Sequence, residues 1–171
     1  MKNAVRTSLC TLVLIASAVI VAPTSQAQES SPETAERPDF SGVWVGVADE
    51  GSGPPAMRAA EARNAWRVVH DETSISFELV SSGHAMVYPL DGAEALTTTP
   101  SGRPVRVSGR WLPDGSTLEL TTVELGEDGT PVSTVLEHST LAADGRTLTL
   151  RRMLDGPQGK QDYTLVYRRA E

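Results

Sequence analysis

Five Asp-Gly dipeptides punctuate the second half of this chain: Asp91-Gly92, Asp114-Gly115, Asp128-Gly129, Asp144-Gly145 and Asp155-Gly156. Short stretches rich in Val, Leu, Thr and Tyr run between them. Gly takes positive φ without steric cost, and Asp tolerates it while bonding its own backbone, so the pair suits tight turns between antiparallel strands. The pattern predicts a β-meander. Alternation of apolar residues supports it in Ile75, Phe77 and Leu79, in Val105, Val107 and Trp111, and in Tyr163, Leu165 and Tyr167, where every second side chain would face one side of a sheet.

Strands are expected near Ala65–Asp71, Ser74–Val80, Ala85–Leu90, Pro104–Leu112, Thr117–Glu124, Val132–Leu141, Thr147–Leu154 and Asp162–Arg169. An earlier strand follows Pro38, with Val43, Val45 and Val47 on one face, Gly42, Trp44 and Gly46 on the other, and both faces expected to be buried. In the strand at Thr117 the apolar phase slips from Leu118 and Leu120 to Val123 and Leu125, which predicts a bulge or bend near Thr121-Thr122. About nine strands with connections too short for crossover helices give an all-β chain, closed or half-closed into a barrel to remove exposed edges. One short helix is expected near residues 55–63, where Pro54-Pro55 lead into an Ala-rich run. It would plug one end of the barrel or lie over the first strand. The spacing between Asp-Gly pairs is irregular, so no propeller or solenoid repeat is indicated.

The N-terminus reads as an export signal. Lys2 and Arg6 precede an uncharged, mainly apolar run from Leu9 to Ala22, and Ser25-Gln26-Ala27 supplies small residues for cleavage after Ala27. That run is shorter than the ~20 residues needed to span a bilayer. Residues 28–37 are polar and lack large apolar side chains, so they read as a flexible leader, and residues 38–171 as a single domain. Cleavage removes two of 15 basic and none of 22 acidic residues, taking the formal charge from −7 to −9. Such a charge argues against nucleic acid or anionic lipid as a partner. The only cysteine, Cys10, lies in the signal, so the mature chain has neither a disulfide framework nor a thiolate metal site.

No motif for chemistry emerges. His70, His84 and His138 fall on three different expected strands without metal-ligand spacing, and His70-Asp71-Glu72 reads as an exposed polar corner. There is no GxSxG elbow and no Gly-rich phosphate loop. Arg151-Arg152 and Arg168-Arg169 are the densest positive charge. On strands each pair splits between the two faces, one member turning inward. Arg152 and Arg169 are therefore candidate anion contacts. Trp44, Trp66, Phe77, Tyr88, Trp111, Tyr163 and Tyr167 are candidates to line an apolar ligand cavity, or else to form the core.

At Phe40-Ser41-Gly42-Val43-Trp44 the chain resembles the Gly-x-Trp opening of lipocalin-like barrels. The stretch from Pro38 to Arg169 also resembles small exported bacterial lipocalin-like β proteins of unknown function. That likeness is carried by the Pro-Asp-Phe-Ser-Gly-x-Trp start, Tyr88-Pro89-Leu90-Asp91-Gly92 as a hairpin, Leu141 to Thr149, the Asp155-Gly156-Pro157 turn and the closing Tyr167-Arg168-Arg169. The resemblance implies a fold far more than an activity. It also implies a pairing of Trp44 with a late arginine, for which Arg168 or Arg169, folding over the indole, is available.

These observations lead to an exported, periplasmic or secreted, non-enzymatic binding module, with a small apolar or amphipathic ligand in a barrel cavity. Two alternatives stand beside it. One is an envelope protein-interaction or maintenance domain without a small ligand; the other is a hydrolase or isomerase whose site has no recognisable motif. No cofactor, metal, nucleic-acid partner or stable membrane insertion after signal cleavage is expected. A cavity of ~300 Å³ or more lined by aromatics would favour the ligand reading, and a filled interior the interaction module.

Overall fold

The computed structural model describes residues 37–171, so the expected signal peptide and all but the last residue of the expected leader lie outside the described residues. The described chain forms one antiparallel sheet of ten strands and one short helix. In chain order these are β1 (Gly42–Gly46), α1 (Pro55–Glu61), β2 (Ala65–His70), β3 (Ser74–Leu79), β4 (His84–Pro89), β5 (Ala95–Thr98), β6 (Pro104–Trp111), β7 (Thr117–Leu125), β8 (Pro131–Leu141), β9 (Thr147–Gly156) and β10 (Gly159–Arg169). The sheet runs β4-β3-β2-β1-β10-β9-β8-β7-β6-β5. First and last strands pair, with Trp44 opposite Arg169 and Gly46 opposite Tyr167. The two edges, β4 and β5, meet without a continuous ladder. His84 Nε2 reaches the Thr98 carbonyl of β5 (2.7 Å), while Gly92 N–H, just after β4, reaches the Gly109 carbonyl of β6 (3.0 Å) and Tyr88 Oη of β4 bonds Thr122 Oγ1 of β7 (2.9 Å). The result is a nearly closed barrel.

Alternation delivers the core. Ile75, Tyr88, Val105, Val107, Leu118, Leu120, Leu148, Leu150, Tyr163, Leu165 and Tyr167 all point inward and are buried, around Phe40, Trp44 and Val68. Each fully buried large apolar side chain contributes about 1.5–3 kcal/mol relative to exposure. Pairing along β8, β9 and β10 keeps these residues in register over most of their length.

Several local expectations change. The described residues form ten strands rather than about nine, because Ala95–Thr98 forms a short edge strand, β5, that the pattern does not announce. Its most apolar side chain, Leu96, is 74% exposed, so the strand exists by pairing with β6 and not by burial. β1 is not buried on both faces: Trp44 is fully buried while Val45 is 37% exposed. The register shift of β7 lies between Glu124 and Leu125, not at Thr121-Thr122. The apparent slip arises because Thr122 occupies an inward position, facing Tyr88 instead of filling the core.

The Asp-Gly pairs also divide. Three close hairpins, but with Asp third and Gly fourth in a hydrogen-bonded turn, as in Leu112-Pro113-Asp114-Gly115, where Gly115 N–H reaches the Leu112 carbonyl (3.0 Å). This is the longer connection built on a type I turn, in place of the two-residue loop. Asp91-Gly92 is not a hairpin; it carries the chain across the opening from β4 to β5. Asp155 and Gly156 remain within β9, opposite Lys160 and Gly159, and the turn falls on Pro157-Gln158.

The helix lies over β1. A methyl group on Gly46 would sit 2.7 Å from the Glu61 carbonyl oxygen, so the missing side chain lets the last turn of α1 approach the strand. No helix among the described residues is long and apolar enough to cross a membrane.

Candidate functional site

One part of the barrel interior is not filled. A cavity of about 390 Å³ lies there, with Val68, Leu148 and Leu150 in its wall. Aromatic and apolar side chains make most of its wall: Trp44 from β1, Trp66 from β2, Phe77 from β3, Met86 and Tyr88 from β4, Val135 from β8, Leu154 from β9, and Tyr163 and Tyr167 from β10. Phe77 and Tyr88 meet edge to face, with ring centroids 5.9 Å apart. Thr99 and Pro100, just after the edge strand β5, also line it.

Set into this apolar wall is a cluster of charge. Register explains half of it. Leu120, Glu137, Arg152 and Tyr163 stand opposite one another across β7, β8, β9 and β10, so the inward phase that buries leucines above places Glu137 beside Arg152. Arg152 Nε donates to Glu137 Oε1 at 2.5 Å. The other half comes from α1. Glu61, brought over β1 by the close approach at Gly46, accepts from the Tyr167 hydroxyl at Oε2 (3.1 Å) and lies 3.6 Å from Arg152 Nη1 through Oε1. The three charged side chains are 24% (Arg152), 17% (Glu61) and 11% (Glu137) exposed, partly shielded by the cavity wall.

Electrostatics follows from this placement. Burial works against the Arg152 charge, but Glu137, with the tyrosines and Glu61, outweighs it and holds the guanidinium well above its usual range. Burial pushes the Tyr88 and Tyr167 phenols up, reinforced by Glu137 for Tyr88 and by Glu61 for Tyr167. Both tyrosines therefore remain neutral donors at physiological pH.

Of the candidate residues named from sequence, Trp44, Trp66, Phe77, Tyr88, Tyr163, Tyr167 and Arg152 line this cavity. Trp111 lies elsewhere, packed against Phe40 and His70 at ring-centroid distances of 5.9 and 5.7 Å, with Arg37 over its face. Arg169 covers Trp44 with its guanidinium carbon 4.6 Å from the ring centroid, and donates to the carbonyls of Ser41 (2.5 Å) and Gly145 (2.9 Å). The outer members of the arginine pairs face away: Arg151 binds Asp162 (2.6 Å) and Arg168 binds Glu50 (2.7 Å). Sequence reasoning missed Met86, Glu61 and Glu137. Met86 carried an apolar signal; the two glutamates become visible only through strand register and helix docking.

The histidines do not converge. His70 neighbours Asp39 (3.7 Å), His84 reaches the Thr98 carbonyl, and His138 binds Glu119 at 2.9 Å. Burial opposes the Glu119 charge, yet the hydrogen bonds from His138 and Arg110 keep its carboxyl below the ordinary range. Among the described residues no three His, Cys, Asp or Glu side chains are grouped to hold a metal ion.

No protein-family model matches the sequence, and no curated protein matches it. Solved structures do share its fold. The zebrafish ileal bile acid-binding protein complexed with cholic acid is similar at 13% identity and a TM-score of 0.52, over 77% of this chain and 98% of that one. A secretory abundant heat soluble protein from Ramazzottius varieornatus is similar at 9% identity and a TM-score of 0.50, over 77% and 95%. The chain thus shares the antiparallel barrel fold of these two proteins.

Proposed function

We propose that this protein is an exported, non-enzymatic carrier that holds a small apolar or amphipathic ligand inside its barrel. The observation that supports the reading most directly is the cavity of about 390 Å³ walled by aromatics, within the ~300–1,000 Å³ range of small-molecule sites and built as such sites are, apolar with a few convergent polar groups. The shared fold with a barrel solved with cholic acid points the same way, as an analogy of architecture. Export follows from the N-terminal charge and apolar pattern.

Native mass spectrometry of protein purified from its own source tests the binding. The expected spectrum contains a species heavier than the polypeptide that returns to the bare mass on activation. A bare mass throughout, with no rise in melting temperature across a panel of amphiphiles, would sink the proposal. Recovered mature protein should begin at or near Gln28; N-terminal sequencing that finds Met1 on soluble cytosolic material would refute export.

A further inference from the structure

The interior charge is not balanced. Two carboxylates, Glu61 and Glu137, face one guanidinium, Arg152, so the polar end of the cavity carries a formal charge of −1. Arg152 is not a free anion receptor: its Nε is bonded to Glu137 at 2.5 Å. The second arginine at this end of the chain, Arg169, is spent on backbone carbonyls and on Trp44. Glu61 is the looser carboxylate, 3.6 Å from Arg152 and otherwise held only by the Tyr167 hydroxyl. An anionic head entering here would lose hydration beside a net negative charge. A cationic head would meet a carboxylate with spare acceptor capacity, in a cavity that Trp66, Tyr163 and Tyr167 also line and where aromatic rings attract cations.

Resting on the binding function proposed above, we infer that the cavity selects amphiphiles with a cationic head group, an ammonium seated on Glu61, over anionic ones. The overall acidity of the mature chain acts in the same sense, drawing cations towards the protein. In place of the anion contact expected from Arg152 in the sequence, the arginine then serves as the fixed partner that holds Glu137 and Glu61 in position.

The test uses three probes with one tail and different heads, decylammonium, decanol and decanoate, titrated at neutral pH below their aggregation limits and followed by calorimetry and tryptophan fluorescence. Decylammonium should bind at least about tenfold more tightly than decanoate, with decanol between them, as expected for unit charges at short range in a partly shielded site. Glu61→Gln should reduce that ratio by about tenfold, chiefly through weaker decylammonium binding. Melting curves on the same samples show that the variant is folded, and the ranking on the unaltered protein stands independently of it. Equal or tighter binding of decanoate would overturn the charge preference and leave the carrier reading intact. Binding of none of the three would overturn both.

Discussion

Trp44 is fixed in place by two neighbours, Phe40 and Arg169. Its indole N–H donates to the Phe40 carbonyl at 2.8 Å, its face is covered by the Arg169 guanidinium, and it is fully buried. Gly42, at φ 139°, leaves the room that Arg169 needs, since a methyl group there would lie 2.8 Å from Nη1. Gly-x-Trp is thus readable as chemistry: the glycine clears space on the same face of the strand for the cation that caps the indole. Trp44→Ala should cost ~3–5 kcal/mol, a large share of the ~5–15 kcal/mol that holds such a domain together. Urea denaturation should show a much lower midpoint with little change in slope. An unchanged midpoint would mean that Trp44 is not the anchor of β1. The same scale explains which site residues the sequence displays. Aromatics announce themselves by type and alternation, whereas Glu137 sits in Val135-Leu136-Glu137-His138-Ser139, where neither face is consistently apolar, and only the register opposite Arg152 reveals it as inward.

At the level of elements, the hairpins depend on aspartates that bind the backbone they turn. Asp114 accepts from the N–H groups of Ser116 and Thr117 and from the Thr117 hydroxyl, and Asp128 accepts from the N–H and hydroxyl of Thr130. These bonds hold the Asp114 and Asp128 carboxyls below their ordinary range, as the bonds from Thr73 and Ser74 do for Asp71. Because the folded values are depressed, the stabilisation is complete above the ordinary carboxylate pKa and is lost as pH falls through the lower folded values. Melting temperature should therefore drop as pH is taken below about 4, and the paired substitution Asp114→Asn with Asp128→Asn should flatten that drop. An identical acid profile in the double variant would remove the turns from the account of acid sensitivity. Gly145 tests the other half of the Asp-Gly signal. Its φ is 66°, and nothing lies within 4 Å of where a Cβ would stand, so Gly145→Val is penalised by backbone conformation and not by a clash. A loss of ~1–3 kcal/mol is expected, with the exposed neighbour Ala143→Val close to neutral. Equal melting temperatures would show that the β8–β9 connection does not need its left-handed residue. Asp91-Gly92 and Asp155-Gly156 mark the limit of this signal: the dipeptide favours a turn, but only pairing between the flanking segments makes that turn a hairpin.

For the whole molecule, the decisive feature is that a ten-strand meander pairs its first strand with its last and leaves its opening between β4 and β5. Strand number and alternation foretell a curled sheet, but not where it stays open, because that depends on the cumulative twist of the ladders and on the short, exposed β5. The opening adjoins the cavity: Met86 and Tyr88 of β4 and Thr99 and Pro100 after β5 line it, and only isolated bonds such as His84 to Thr98 span the two edges. Stability should be distributed accordingly. The long ladders of β8, β9 and β10 exchange backbone bonds with partners on both sides, while each edge strand leaves its outer amides without a continuous ladder. Hydrogen exchange should therefore be slowest in the centres of β8 to β10, approaching the global unfolding free energy, and fastest along the outer edges of β4 and β5, where local opening suffices. Adding an amphiphile that binds the cavity should slow exchange along the β4 and β5 edges and at Thr99 more than in β9, whose amides already require global unfolding to exchange. Edge amides as protected as those of β9 in the free protein would mean that the barrel is closed in solution, and entry to the cavity would then have to be sought elsewhere in the wall.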